Sequence, residues 1–127
     1  MTEWNPDTTP NFTFEEMSCR CPNCNGEVHM KQEFMEKLQA MRTMLGPIKI
    51  NSGYRCRKHP EEAKKDNPGA HNQGLAADIQ ATDGYTRFKV LQAAFRCQMQ
   101  GIGIANSFIH VDDGHEFAPR PTQWNYS

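Results

Sequence analysis

The chain has no long apolar run, no excess of basic charge and no internal repeat. A bilayer-crossing helix needs about 20 apolar residues in succession, so no membrane span is expected. Lys plus Arg number 14 against 15 Asp plus Glu, a formal net charge of −1, and no basic cluster stands out. Binding through phosphate neutralisation needs such a cluster, so nucleic acid is not an expected partner. The opening residues, Met1 to Asp7, lack the basic and apolar regions of a secretory signal. The expectation is a product made in the cytoplasm, which reaches a substrate beyond the membrane only after release by another factor.

What is present fits one domain. At 127 residues, folding buries roughly two-thirds of the unfolded chain's surface, enough for a single core without disulfide staples. Residues 1–11 are polar and contain Pro6 and Pro10, which reads as a loosely held tail. Residues 12–127 form the domain, and a monomer is expected.

The five cysteines are an odd set. Cys19, Cys21 and Cys24 cluster, while Cys56 and Cys97 stand apart. Cys21-x-x-Cys24 can grip a metal, but no second such pair exists, and Cys56 or His29 would have to complete the site. A disulfide through Cys56 in an oxidising compartment and a thiol-rich turn without any ligand are equally open readings.

Periodicity places the elements. Thr13-Phe-Glu-Glu16 has the form of a capping box, giving a short helix to about Met17. Phe34, Leu38, Met41 and Leu45 recur at helical spacing, giving an amphipathic helix over about 30–45 that Gly46-Pro47 ends. Ile48 to Asn51 alternates as a strand, and 57–74 reads as a long surface loop of the kind that often carries function. A strand over Leu75–Ile79 follows, and Asp83 caps a helix on which Phe88, Leu91 and Phe95 share one face. Ile102–Ile104 and Phe108–Asp112 read as two more strands, with Trp124 and Tyr126 as anchors in a terminal loop. The order argues for an α+β fold with helices on one side of a small antiparallel sheet.

Chemistry concentrates in two segments. In Gly69-Ala-His71-Asn-Gln-Gly74-Leu-Ala-Ala-Asp78, Gly74 permits a sharp turn, and Asp78 lies on the strand opposite in direction to Ala77 and Ile79. A carboxylate on an otherwise apolar strand needs a partner, because burying it alone is costly. In Phe108-Ile-His110-Val-Asp112, Ile109 and Val111 point to the core, and His110 and Asp112 point away from it. Two neighbouring strands would then present Asp78 and His110 on one polar face, with His71 reaching in from the loop. Two imidazoles and a carboxylate suit zinc and leave a coordination position open for water. Arg55, at the end of the preceding strand, suits a substrate carboxylate or a developing oxyanion. Each residue also has a plainer reading: His71 on the surface, Asp78 as a salt-bridge partner of Arg55, His110 as a hydrogen-bonded histidine of the sheet.

The ordered set His71-x-x-Gly74-x-Ala76-x-Asp78, Ser52-Gly-Tyr-Arg55 and Phe108-Ile-His110-Val-Asp112 resembles the zinc D-alanyl-D-alanine carboxypeptidases. That family includes phage endolysin peptidases and shares its zinc fold with the hedgehog signalling domain. The similarity runs from about Phe12 to the end, taking in Gly101-Ile-Gly103 and Trp124-x-Tyr126. The resemblance implies a hedgehog/DD-peptidase-like fold, zinc on His71, Asp78 and His110, and Arg55 as the substrate-positioning arginine. It implies hydrolysis, by zinc-activated water, of an amide in the peptidoglycan stem peptide, by an exo or an endo cut.

Two departures stand out. Gly69 replaces a Ser common two residues before the first ligand. Ser107 and Phe108 stand where many relatives carry a general base, and neither does that work near neutral pH. Asp112 either substitutes as the base or orients a ligand or Arg55 from behind. His115 and Glu116 are further candidates. The missing base keeps a second function in view, a zinc-containing module that binds cell wall without cutting it. A third, an interaction module built on the cysteines, leaves His71, Asp78 and His110 without a role.

Overall fold

The computed structural model describes residues 3–114 and 119–126. Its helices are α1 (Phe14–Met17), α2 (Gln32–Leu45), α3 (Pro60–Ala63) and α4 (Gly84–Arg96). Its strands are β1 (Ile50–Ser52), β2 (Ala76–Gln80), β3 (Gly101–Ile104), β4 (Phe108–Asp112) and β5 (Thr122–Asn125), in the sheet order β1-β2-β4-β3-β5. The first four strands pair antiparallel, as expected from the sequence. β5 adds to the edge in parallel with β3, which makes the sheet mixed. Nothing in Thr122–Asn125 alternates apolar and polar strongly enough to announce a strand.

Alternation divides the sheet into two chemically different faces. Ala77, Ile79, Ile102, Ile109 and Val111 enter one buried cluster with Phe34, Met35, Leu38 and Met41 of α2 and Val90, Ala93 and Ala94 of α4. The opposite face keeps the polar residues of β2 and β4. Helix α4 therefore packs through its small residues, which let it approach the sheet closely. Phe88 and Phe95, which share one face of the helix with Leu91, are each 65 % exposed.

Caps set where the helices begin. Thr13 Oγ1 accepts from the Glu16 amide at 3.1 Å, and Asp83 Oδ1 accepts from the Thr86 amide at 2.8 Å. Each such cap stabilises its helix by about 1 kcal/mol. Gly74 takes φ +74°, and any β-carbon there would collide with the His29 carbonyl oxygen, so the turn after His71 requires glycine.

Two segments depart from the sequence reading. Residues 3–11 do not form a loose tail: Trp4 is buried, its amide donates to the Met30 carbonyl at 3.0 Å, and its indole donates to Thr9 Oγ1 at 2.7 Å. The 57–74 loop contains α3, which places the carboxylate of Glu62 inside the protein. Glu62 Oε2 pairs with Lys65 at 2.8 Å, and Oε1 accepts from the Gly69 amide at 3.1 Å and lies 3.7 Å from Arg57 Nη1, so one buried acid ties the start of the loop to Lys65 and Gly69.

Candidate active site

One row across the sheet builds the site. β2 and β4 are in register with Asp78 opposite His110, β4 and β3 with His110 opposite Gly103, and β3 and β5 with Gly103 beside Trp124. The next row on the same face is Ala76, Asp112, Gly101 and Thr122. Both β3 positions are glycine because large groups lie over them. A β-carbon on Gly103 would come within 2.7 Å of Trp124 Nε1, and one on Gly101 would strike the Asp112 carboxylate and Arg120. The Trp124 ring thus rests beside the His110 ring, centroids 5.2 Å apart.

His71 reaches this row from the turn before β2. The turn is laced to the segment after β1: the Arg55 amide donates to the His71 carbonyl, and Asn72 Nδ2 donates to the Arg55 carbonyl at 2.8 Å. His71 Nδ1 lies 2.7 Å from the Gly53 carbonyl oxygen, which accepts only, so Nδ1 carries the proton. Nε2 is left facing Asp78 Oδ1 at 3.3 Å.

His110 is held from behind in the same way. Its Nε2 lies 2.7 Å from Asp112 Oδ2, and its Nδ1 lies 3.0 Å from the same Asp78 Oδ1 that faces His71. Asp112 is wholly buried, and both its oxygens are engaged. Arg120 Nε donates to Oδ1 and Nη2 to Oδ2, each at 2.9 Å, and the Gly114 amide donates to Oδ1 at 2.9 Å. Arg55 comes to the other side of Asp78, its Nη2 donating to Oδ2 at 3.2 Å while its Nε donates to Ser52 Oγ at 3.1 Å. Asp78 is therefore both a partner of Arg55 and the meeting point of two imidazoles.

The electrostatics follow from burial and these bonds. Burial pushes the Asp78 carboxyl up, but the two imidazoles of His110 and His71 against it outweigh this and hold the group well below the usual carboxylate range. Burial likewise pushes Asp112 up, and His110 and Arg120 together prevail and keep it ionised. Burial dominates at His71 and drives its imidazole down, towards the neutral form that ligates metals. At His110 burial also pushes down, but the bonds to Asp112 and Asp78 prevail and the net shift is upward.

His71, Asp78 and His110 each offer one donor atom, all within 4.8 Å of one another, and all three side chains are buried. Two nitrogens oriented by acceptors behind them, plus one carboxylate oxygen, form the donor set that zinc takes in sites with an open position. The residues present fit the metal. They form part of the wall of a cleft of about 640 Å³ whose rim carries Arg55, Glu61, Lys65, Phe108, Trp124 and Tyr126.

Of the residues singled out from sequence, His71, Asp78, His110, Arg55 and Asp112 all come together here. Ser107 is not among the cleft's lining residues, and Phe108 lines it as an apolar wall against Tyr126, ring centroids 5.4 Å apart. His115 and Glu116 lie outside the described residues. Gly69 stands where a β-carbon would meet Lys65 Nζ at 2.6 Å, so the Glu62–Lys65 pair fills the place a Ser side chain would need. Arg120 was missed by sequence reasoning. It lies between two prolines with no pattern to mark it, although the two alternate glycines of β3 do signal that something large covers that face.

Buried, back-supported imidazoles meeting a carboxylate in the wall of an open cleft are the layout of a metallopeptidase. The profile of the peptidase M15 family matches residues 10–112, and the chain belongs to that family. A comparison with curated proteins finds no match. The profile match ends at Asp112, so the roles of Arg120, Trp124 and Tyr126 rest on geometry alone. No helix among the described residues is long and apolar enough to cross a membrane.

Proposed function

We propose that the chain is a zinc peptidase that hydrolyses amide bonds in peptidoglycan stem peptides, with His71, Asp78 and His110 as the zinc ligands. The observation that carries this reading is the convergence of His71 Nε2 and His110 Nδ1 on one oxygen of Asp78, each ring oriented by an acceptor on its far nitrogen. Membership of the M15 family supports the reaction class. Zinc held by these three residues would supply a Lewis acid for the scissile carbonyl and would acidify water near neutral pH.

The chain's own groups supply binding and proton handling. Arg55 has two of its nitrogens engaged with Ser52 and Asp78, which leaves Nη1 to hold a substrate carboxylate or the carbonyl oxygen as charge develops. Phe108, Trp124 and Tyr126 give the cleft an apolar wall suited to the small methyl side chains of D-alanine. With both its oxygens engaged, Asp112 orients His110 and does not take the proton from water. Among the described residues lining the cleft, Glu61 is the remaining carboxylate, exposed, ionised and paired only with Lys64, and we assign it the proton transfer: it takes the proton of the attacking water and passes it to the leaving amine. The enzyme acts at the cell wall after release from the cell that made it, in a phage lysis or tail role or in wall remodelling.

One observation favours a second reading. With Ser107 and Phe108 at the usual base positions and Asp112 held by Arg120 and Gly114, the cleft keeps its ligands without an obvious inner base, as a zinc-containing wall-binding module would. Zinc content measured beside amine release from purified peptidoglycan separates the two. Wild type should hold zinc and release new amino groups, and His110→Ala should do neither at this site. Zinc retention with wall binding and no amine release would overturn the peptidase in favour of the module.

A further inference from the structure

Three cysteines of the turn after α1 and one cysteine beyond β1 form a second cluster, built from segments 37 positions apart at Cys19 and Cys56. Cys21 Sγ lies 3.4 Å from Cys56 Sγ and 3.6 Å from Cys24 Sγ, and Cys19 Sγ lies 3.7 Å from Cys56 Sγ. All four sulfurs lie within 4.8 Å of one another. Cys19, Cys21 and Cys56 are buried, and Cys24 is half-buried at the rim.

These spacings discriminate between the possible fates of the thiols. A disulfide brings two sulfurs to about 2.0 Å and commits each to one partner. Four thiolates held about 2.3 Å from a single zinc ion lie about 3.8 Å apart along the edges of a tetrahedron. Separations of 3.4–3.7 Å around a common centre match the tetrahedron. No division into two pairs matches as well, because Cys21 is close to two other sulfurs at once. A backbone donor faces the cluster as donors do around thiolate ligands: the Cys56 amide points at Cys19 Sγ at 3.4 Å. His29, the alternative fourth ligand, instead packs edge-on against Tyr54, ring centroids 5.2 Å apart.

We propose that Cys19, Cys21, Cys24 and Cys56 form a second metal centre, a closed tetrathiolate that takes zinc for structure and not for catalysis. Four protein ligands leave no position for water, which separates this centre from the one in the cleft. Its position gives it work to do. Cys56 directly follows Arg55, and three residues earlier the Gly53 carbonyl orients His71. The segment between β1 and α3 has no strand or helix to hold it, and the turn it meets is tied to it further by Asn23 Nδ2 donating to the Lys58 carbonyl at 3.0 Å. The tetrathiolate clamps this segment, and so holds Arg55 and the support of His71 in place.

The test separates the two centres by removing the first. The His71→Ala, His110→Ala double variant, purified without chelator, should retain about one zinc per chain where wild type holds two. Loaded with Co²⁺ instead, it should show intense thiolate-to-cobalt charge-transfer absorption. Adding Cys24→Ser, the least buried ligand, should remove that absorption and the remaining zinc. A double variant free of zinc and of thiolate absorption would overturn the proposal. So would disulfides among the four cysteines, read by alkylation and mass in never-reduced protein. The count in the double variant does not depend on whether the cleft is a peptidase.

Discussion

Asp112 Oδ2 lies 2.7 Å from His110 Nε2, on the side of the ring opposite the nitrogen that meets Asp78. A carboxylate in that position sets the tautomer of its histidine, presenting Nδ1 as the free lone pair and raising its basicity. Asp112→Asn keeps the shape and removes the charge. It should weaken zinc binding in the cleft by about 10–100-fold, in parallel with loss of activity. Competition with a chelator measures the first and amine release the second. Unchanged zinc affinity with activity abolished would identify Asp112 as the base and refute the orienting role.

Glu61 gives the complementary case. It lines the cleft, reaches solvent and pairs only with Lys64, whose hydrogen bond holds its pKa down and keeps it ionised. Glu61→Gln should lower kcat by about 10²–10⁴-fold while zinc content stays at the wild-type level, the signature of a lost proton-transfer group. A fall in KM-dependent binding with kcat intact would instead make Glu61 a substrate contact on the rim.

Much of this site is legible in the sequence. Alternation puts Asp78 and His110 on one face, and the register pairs them directly; a one-residue slip between β2 and β4 would turn one of them into the core. The caps at Thr13 and Asp83 were legible for a local reason, since side chain and amide are three residues apart. Two features lie beyond local pattern because tertiary contact decides them. The largest residues of α4, Phe88, Leu91 and Phe95, mark one face of the helix, yet Ala93 and Ala94 are the ones that allow close approach to the sheet, and Phe88 and Phe95 face out. Trp4 lies in a proline-marked polar stretch, and its anchoring depends on the Met30 carbonyl, 26 positions away and invisible to any short window. Arg120 belongs to the same class: its partner Asp112 is known, but nothing local ties the two.

Arg120 makes two hydrogen bonds to a fully buried carboxylate and lies over Trp124, its guanidinium carbon 5.0 Å from the ring centroid. Removing one partner of a buried pair leaves the other charge uncompensated. Arg120→Ala should cost about 3 kcal/mol of stability, read by denaturant unfolding of the zinc-free protein. Arg120→Lys should recover part of this, because a point charge cannot reproduce the two-nitrogen grip. The same variants should loosen zinc in the cleft, since Asp112 would no longer be held against His110. A stability change below about 0.5 kcal/mol for Arg120→Ala would mean that Gly114 and His110 suffice to hold Asp112.

Glu62 allows a prediction whose sign can be worked out in pH. Burial pushes its carboxyl up, but the bonds from Lys65 and the Gly69 amide prevail, and its folded pKa falls below the ordinary value of 4.5. The group therefore contributes stability that is present above the unfolded pKa and is lost as pH falls through the folded one. Asp78 and Asp112 are shifted in the same direction, so the wild-type curve alone does not isolate it. Glu62→Gln retains an acceptor for Gly69 but gives up the ion pair with Lys65, and should cost about 1.5–3 kcal/mol at neutral pH. The difference between wild type and variant should shrink as pH is lowered below about 4.5, because protonation then makes the two side chains alike. A difference that persists unchanged into acid would mean that the variant is destabilised by the shape of the amide and not by loss of charge. In that case the loop from 57 to 74 is held by packing, and the buried acid is not what places His71.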